Sequence, residues 1–176
     1  VRGHCPADRA QAVSDAMVRA AGLPFHTEAG APYGYGAELL GQRAAALRPS
    51  LVVLDYLQLC AGRGGEEPRQ AVGRVSYVAR AVARDLGAVV LVLSSTARAN
   101  YEALTTDEST DPGALVGLGK ESGEIEYAAD GVMVLARDKA APGRRVLVLA
   151  KNRHGPLDRV GLSWSGTAFQ PEEEGV

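Results

Sequence analysis

Two strand-sized apolar runs joined by one long helix constrain this chain more than any other feature. Leu51-Val52-Val53-Leu54 is continuously apolar and closes on Asp55, and Ala88 to Leu93 is the second such run. A strand buried on both faces reads as an unbroken apolar run, whereas a strand with one wet face alternates. Between them, Pro68 to Leu86 keeps Val72, Val75, Val78, Ala79 and Val82 on one side, and Gly87 stands where a helix C-cap belongs. Strand, helix, strand in this order predicts parallel strands with a crossover helix, and so an α/β sheet.

The flanking segments extend that sheet. Ala7 to Ala21 has helical apolar spacing (Ala10, Val13, Ala16, Met17, Ala20) and is stopped by Gly22 and Pro24. Ala37 to Leu47 is a second helix, ended by Pro49, and Gly62 to Gly65 is a turn before the long helix. Asn100 to Gly119 is polar, acidic and rich in Thr, Asp and Gly, which predicts a long loop; loops of that length inside a domain tend to be functional. Gly131 to Ala136, Arg145 to Ala150 and Val160 to Trp164 then follow as strands. Their connections, around Ala141-Pro142-Gly143 and His154-Gly155-Pro156, are hairpin-like. The expectation is a mostly parallel sheet with antiparallel hairpin strands at its C-terminal edge, and an acidic tail from Glu172 to Val176. With no internal repeat and no linker, residues 1–176 read as a single domain.

Composition excludes some classes. No apolar run approaches the roughly 18–20 residues of a membrane span, and no signal pattern opens the chain, which points to a cytoplasmic protein without a membrane partner. Cys5 and Cys60 are far apart and lack metal-ligand spacing, as reduced thiols would. A net charge of −2 does not advertise a nucleic-acid binder. Locally, however, Arg137, Lys139, Arg144, Arg145, Lys151, Arg153 and Arg159 face only Asp138 and Asp158. Such a stretch is a solvated face unless a motif brings its charges to a phosphate. The chain opens on Val1 instead of methionine, as a processed chain or a piece of a longer one would.

A phosphate-binding loop is absent. That loop needs G-x-x-x-x-G-K-[ST], so that backbone N–H groups cradle phosphate while Lys and a hydroxyl handle charge and Mg²⁺. The one Gly-Lys pair, Gly119-Lys120, is followed by Glu121, and Ala114 holds the place of the first glycine. There is no G-x-S-x-G elbow and no His/Cys/Glu set with metal spacing. His4 and His26 carry no motif, His154 reads as a turn residue, and Trp164 as core or edge packing.

Four other segments carry chemistry in a fixed order. Asp55-Tyr56-Leu57-Gln58-Leu59 sets an acid at a strand's carboxyl end, where nucleotide-binding sheets place their ligands. Ser94-Ser95-Thr96-Ala97-Arg98 ends the second strand. Lys120-Glu121-Ser122-Gly123-Glu124-Ile125-Glu126-Tyr127-Ala128-Ala129-Asp130 joins a cation and a Ser-Gly turn that can present N–H groups to phosphate. Lys151-Asn152-Arg153-His154-Gly155-Pro156 puts two cations at a hairpin tip.

Together these resemble the motifs of DnaB-type replicative DNA helicases, over roughly residues 37–170. The first is similar to that family's Walker B segment and the third to its Arg-Glu-Ser-Gly-x-Ile-Glu-x-x-Ala-Asp block. RadA-type and KaiC-type proteins are relatives, and RadA shares a similar Lys-Asn-Arg motif, but the first and third segments favour DnaB. The resemblance implies a partial RecA-like P-loop NTPase core without its first strand, its P-loop and the segment bearing the catalytic glutamate. It implies ATP and Mg²⁺ as cofactors, with Asp55 holding Mg²⁺ through water. It implies nucleotide sensing at Ser95 and Arg98, where Ser95 departs from the family's Gln and is shorter by two carbons. Lys120, Glu121 and Gly123 would follow the backbone of single-stranded DNA. Lys151 and Arg153 would act as a finger in the next subunit's ATP site, in a ring of identical subunits, a hexamer in the family, with primase as a further partner. Two alternatives stay open: a non-catalytic RecA-like interaction or regulatory module, and a RadA- or RecA-like repair ATPase.

Overall fold

The computed structural model describes residues 7–29, 36–60, 67–118, 122–141 and 143–172. His4, Cys5, the turn at Gly62 to Gly65, Lys120, Glu121, Pro142 and the tail beyond Glu172 lie outside the described residues. Two compact units result, Val1–Gly30 and Ala31–Val176. The first holds α1 (Ala7–Ala21), whose last turn closes through Gly22 N–H to the Arg19 carbonyl at 3.2 Å and Leu23 N–H to the Ala20 carbonyl at 3.1 Å.

In the second unit, α2 (Ala37–Leu47) ends on Arg48 in the left-handed conformation (φ 46°), which turns the chain into Pro49. β1 (Leu51–Leu54) follows, then the single turn α3 (Leu57–Cys60) and α4 (Pro68–Leu86). Pro68 starts α4 where its missing N–H is harmless. Gly87 ends it at φ 64°, a conformation that favours glycine. β2 (Val89–Val92) pairs with β1 in parallel, Leu51 opposite Val89 and Leu54 opposite Val92. Helices α2 and α4 cover one face of this pair: Leu40, Leu54, Leu57, Val72, Val75 and Ala79 form its buried core, with Val52, Val90 and Val92 packed against it. Arg74 and Glu38 tie the two helices by an ion pair at 2.7 Å.

The other face departs from the expectation of strands buried on both sides. Leu51 is 55% exposed, Val53 53% and Val89 65%, because among the described residues no element covers them.

The segment expected as a long loop has local order: a 3-10 turn at Arg98–Asn100, the two-residue β3 (Thr105–Thr106) and a 3-10 helix at Pro112–Leu118. Next comes α5 (Ser122–Ala128), which lies against α4 where Gly73 leaves room; a Cβ there would sit 3.2 Å from Glu124 Cγ. The chain closes with β4 (Gly131–Asp138), β5 (Arg145–Asn152), β6 (Asp158–Trp164) and β7 (Phe169–Pro171). These form a second sheet in the order β3-β4-β5-β6-β7, parallel between β3 and β4 and antiparallel thereafter. Its buried face, Val146, Val148 and Ala150 with Ala136, packs on Leu115 of the second 3-10 helix. Trp164 is exposed and packs edge-on against Phe169, its cross-strand partner, with ring centroids 4.9 Å apart.

The parallel part of the fold is therefore small, and it is interrupted. A cleft of about 830 Å³ separates the two sheets, walled by the outer edge of β2 (Val89 to Val92) and by Gly131 to Leu135 of β4. No helix of the described residues is long and apolar enough to cross a membrane.

Candidate functional site

The parallel register brings the first two motifs together. Asp55 leaves β1 and Ser94-Ser95 leave β2 at the same, carboxyl, edge. Backbone pairing continues past the strands: Leu93 N–H donates to the Leu54 carbonyl at 2.9 Å and Leu57 N–H to the Leu93 carbonyl at 2.8 Å. Asp55 is exposed there, and the Asp55–Tyr56 peptide is cis.

Gln58 clamps the two ends. Its Nε2 donates to Ser94 Oγ at 2.9 Å, and Ser95 N–H donates to its Oε1 at 3.1 Å. An amide side chain thus stands beside Ser95, supplied by the neighbouring motif. Sequence reasoning did not single out Gln58, although it lies inside the quoted Asp-Tyr-Leu-Gln-Leu segment. Arg98 is exposed on its 3-10 turn.

Among the described residues no group of three or more His, Cys, Asp or Glu side chains could hold a metal. A single exposed carboxylate at a strand end suits Mg²⁺, which keeps several waters and takes its remaining ligands from nucleotide phosphates. The residues present fit that arrangement and no protein-only cage.

The Lys151–Arg153 motif lies elsewhere, beside the start of β4. Antiparallel pairing sets Asn152 opposite Gly131 and Lys151 opposite Val132, so the end of β5 returns beside Asp130. Arg153 Nη1 donates to Asp130 Oδ1 at 2.6 Å, and Arg153 N–H to the Asp130 carbonyl at 2.9 Å. Lys151 Nζ donates to the carbonyls of Glu126 and Ala129, the latter at 2.9 Å. These carbonyls lie in the last turn of α5 and just after it, where a cation also meets the negative end of the helix dipole. Asn152 shapes the tip from inside, accepting from His154 N–H at 3.1 Å and donating to the Pro156 carbonyl at 3.0 Å. Gly123 sits in the first turn of α5, and a Cβ on it would lie 3.3 Å from Arg69 Nη2. No hydrogen bond or ion pair among the described residues joins the Asp55–Ser95 group to the Lys151–Arg153 group.

Most other charges of the basic stretch are engaged within the chain. Lys139 bonds Asp107 Oδ2 at 2.9 Å, and Arg159 donates to the carbonyls of Asp107 and Thr110. Arg144 pairs with Asp138 at 3.0 Å and with Glu172. The Ser109 hydroxyl, then Lys139 and Thr110, hold the Asp107 carboxyl well below the usual carboxylate range. The N–H of Ala140, helped by Ala141 and Arg144, lowers Asp138. These groups pin the acidic loop to the sheet, leaving Lys151 and Arg153 as the motif-borne cations at the other end.

The family described as DnaB-like helicase C terminal domain matches residues 40–172. The replicative DNA helicase DnaB of Geobacillus stearothermophilus is 33% identical over 122 residues, 65% of this chain and 26% of that protein. The replicative DNA helicase DnaC of Bacillus subtilis is 30% identical over 122 residues, with the same 65% and 26% coverage. The chain thus spans about a quarter of the length of these relatives. Among solved structures, one described as an ATPase domain superposes with a TM-score of 0.76 at 21% identity, over 98% of this chain and 63% of that one. A DnaB-like replicative helicase, described with its interactions with primase, superposes with a TM-score of 0.71 at 22% identity, over 92% and 40%. These likenesses establish a RecA-like fold.

Proposed function

This chain belongs to the DnaB-like helicase C-terminal domain family, and from that premise we propose that it is part of an ATP-dependent, ring-forming DNA helicase motor acting on single-stranded DNA at replication. The observation that carries the reading is the β1–β2 register, which sets Asp55 beside Ser94-Ser95 at the carboxyl ends of two parallel strands. Ligands of open α/β sheets bind at such an edge.

In this reading Asp55 holds Mg²⁺ through water, and the ion neutralises charge on the ATP phosphates. Ser95, backed by the Gln58 amide, and Arg98 follow the state of the nucleotide. Lys120, Glu121 and Gly123 track the DNA backbone. Lys151 and Arg153 complete the ATP site of the next subunit in a ring, six in number as in the family, with primase as a further partner and the cytoplasm as the place of work. The two units belong to one motor domain whose first strand and P-loop are supplied from outside residues 1–176. The cleft between β2 and β4, flanked by the outer edge of β2 and by the part of β4 that β3 does not pair (Gly131 to Leu135), has the form such a strand needs.

The 176 residues alone then neither bind ATP tightly nor hydrolyse it. In the intact protein, Asp55→Asn abolishes turnover, and Arg153→Ala abolishes turnover while nucleotide binding survives. An arginine finger contributes about 10³–10⁵ in rate, so the loss is readily measured in a DNA-stimulated ATPase assay. An ATPase rate from the isolated chain above its Asp55→Asn control would overturn the reading. A second reading, a non-catalytic RecA-like module, is favoured by Ser95 in place of Gln; an intact protein with no ATPase would select it.

A further inference from the structure

Both cations of the hairpin tip rest on one short segment of their own chain, the end of α5 and the two residues after it. Lys151 sits on the carbonyls of Glu126, in the last turn of α5, and of Ala129, just after it, and Arg153 is held by the carboxylate and the carbonyl of Asp130. We infer that Asp130 is a positioning residue for Arg153, and that the end of α5 is the splint on which the finger is mounted. This inference rests on the reading of Lys151 and Arg153 as a finger acting in the neighbouring subunit.

The donor count supports mounting over sequestration. A guanidinium has five N–H donors, and Asp130 engages one. An ammonium has three, and the carbonyls of Glu126 and Ala129 engage two. Each cation is therefore anchored on one side and keeps donors for phosphoryl oxygens on the other. The Arg153 side chain is 38% exposed, so those donors are accessible while the anchor holds. A long side chain without an anchor samples many rotamers, and only one of them meets the phosphate.

Asp130 also brings a negative charge close to the finger, which opposes attraction of phosphate. Its side chain is 57% exposed, where water and salt screen that charge, so the geometric gain exceeds the electrostatic penalty. The same exposure makes the pair of little consequence for folding, since surface ion pairs contribute little to stability.

The experiment uses the intact helicase. Asp130→Asn keeps the side-chain volume and removes the charge. It is expected to lower kcat for ATP about 10- to 100-fold, the range a misplaced catalytic group produces, with KM for ATP within about twofold. Asp130→Glu restores the carboxylate and recovers most of the rate. Rings are then assembled from equal mixtures of Asp130→Asn and Asp55→Asn subunits. At some interfaces a sound Asp55 site meets a sound hairpin, so the mixture turns over ATP faster than the average of the two pure rings. Mixtures of Arg153→Ala with Asp55→Asn are the control. If the control recovers activity and the Asp130→Asn mixture does not, Asp130 acts within its own subunit and the inference falls. It falls equally if Asp130→Asn alone turns over at the wild-type rate. If the control fails to recover, the finger reading itself is wrong, and the inference goes with it.

Discussion

Replacing Gln58 by Leu isolates the device that joins the carboxyl ends of β1 and β2. Leu keeps most of the side-chain bulk while removing both amide hydrogen bonds, from Nε2 to Ser94 Oγ at 2.9 Å and from Ser95 N–H to Oε1 at 3.1 Å. A neutral hydrogen bond contributes about 0.5–1.5 kcal/mol net, so two would give roughly 1–3 kcal/mol. Ser94 is exposed and Ser95 half-buried, so water replaces part of what is lost. About 1–2 kcal/mol of local opening free energy should remain. That corresponds to a factor of about 5–30 in the population of the open form.

Hydrogen exchange at the Ser95 amide, measured in the intact protein, reads this directly. Exchange should quicken about 5- to 30-fold in Gln58→Leu. Ser94→Ala, which removes one of the two bonds, should quicken it by less. In the double variant Ser94→Ala should add nothing, because its partner is already gone. The lost hydrogen bonds lie between residues 36 and 37 positions apart, so the effect should be confined to residues 93–96 and to the start of α3. A Ser95 amide that exchanges within twofold of wild type in Gln58→Leu would refute the clamp.

Two further outcomes follow from the polar network and from the cleft. The Asp107 carboxyl is depressed by Ser109, Lys139 and Thr110, so its contribution is present above the unfolded-state value of about 3.9 and is lost as pH falls through the folded value. Asp107→Asn should therefore lower the urea midpoint clearly at pH 7 and by much less at pH 2; an equal loss at both would contradict the assignment. On β2, the N–H groups of Val89 and Leu93 point to β1, so those of Val90 and Val92 point into the cleft. If a strand fills the cleft in the intact protein, the Val90 and Val92 amides should exchange at least about tenfold more slowly there than in the 176-residue chain, and equal rates would exclude such a strand.

Much of the secondary structure was legible because its punctuation is local. Pro49, Pro68 and Gly87 fix the ends of α2 and α4 through backbone conformations that few other residues prefer. β3 and β7 were not legible, since strands of two or three residues are too short to carry a period. α5 was hidden inside a motif read for chemistry, although Gly73 and Glu124 dock it on α4. Contacts at the candidate site show the same division. Asp55, Lys151 and Arg153 stand out by residue type and order. Their partners depend on long-range register: Asp130 meets Arg153 only because β5 returns antiparallel to β4, and Gln58 meets Ser94 only because β1 and β2 run parallel.

The bare face of β1 and β2 is where sequence and structure disagree most, and the disagreement has a physical reading. Leu51, Val53, Val89 and Leu91 follow the code of a strand buried on both sides, yet all four are exposed. Met133 and Leu135 of β4, on the far wall of the cleft, are exposed as well. Full burial of an aliphatic side chain contributes about 1.5–3 kcal/mol, and the first four are already about half-buried, so covering them would add roughly 3–6 kcal/mol. That is a large fraction of the stability of an ordinary domain. An apolar code of that size, beside a cleft faced by the outer edge of β2 and by the part of β4 that β3 does not pair, is what a sheet needs when one more strand and a covering helix complete it. In this reading the strands were specified for the complete sheet, and the 176 residues contain one face of its core.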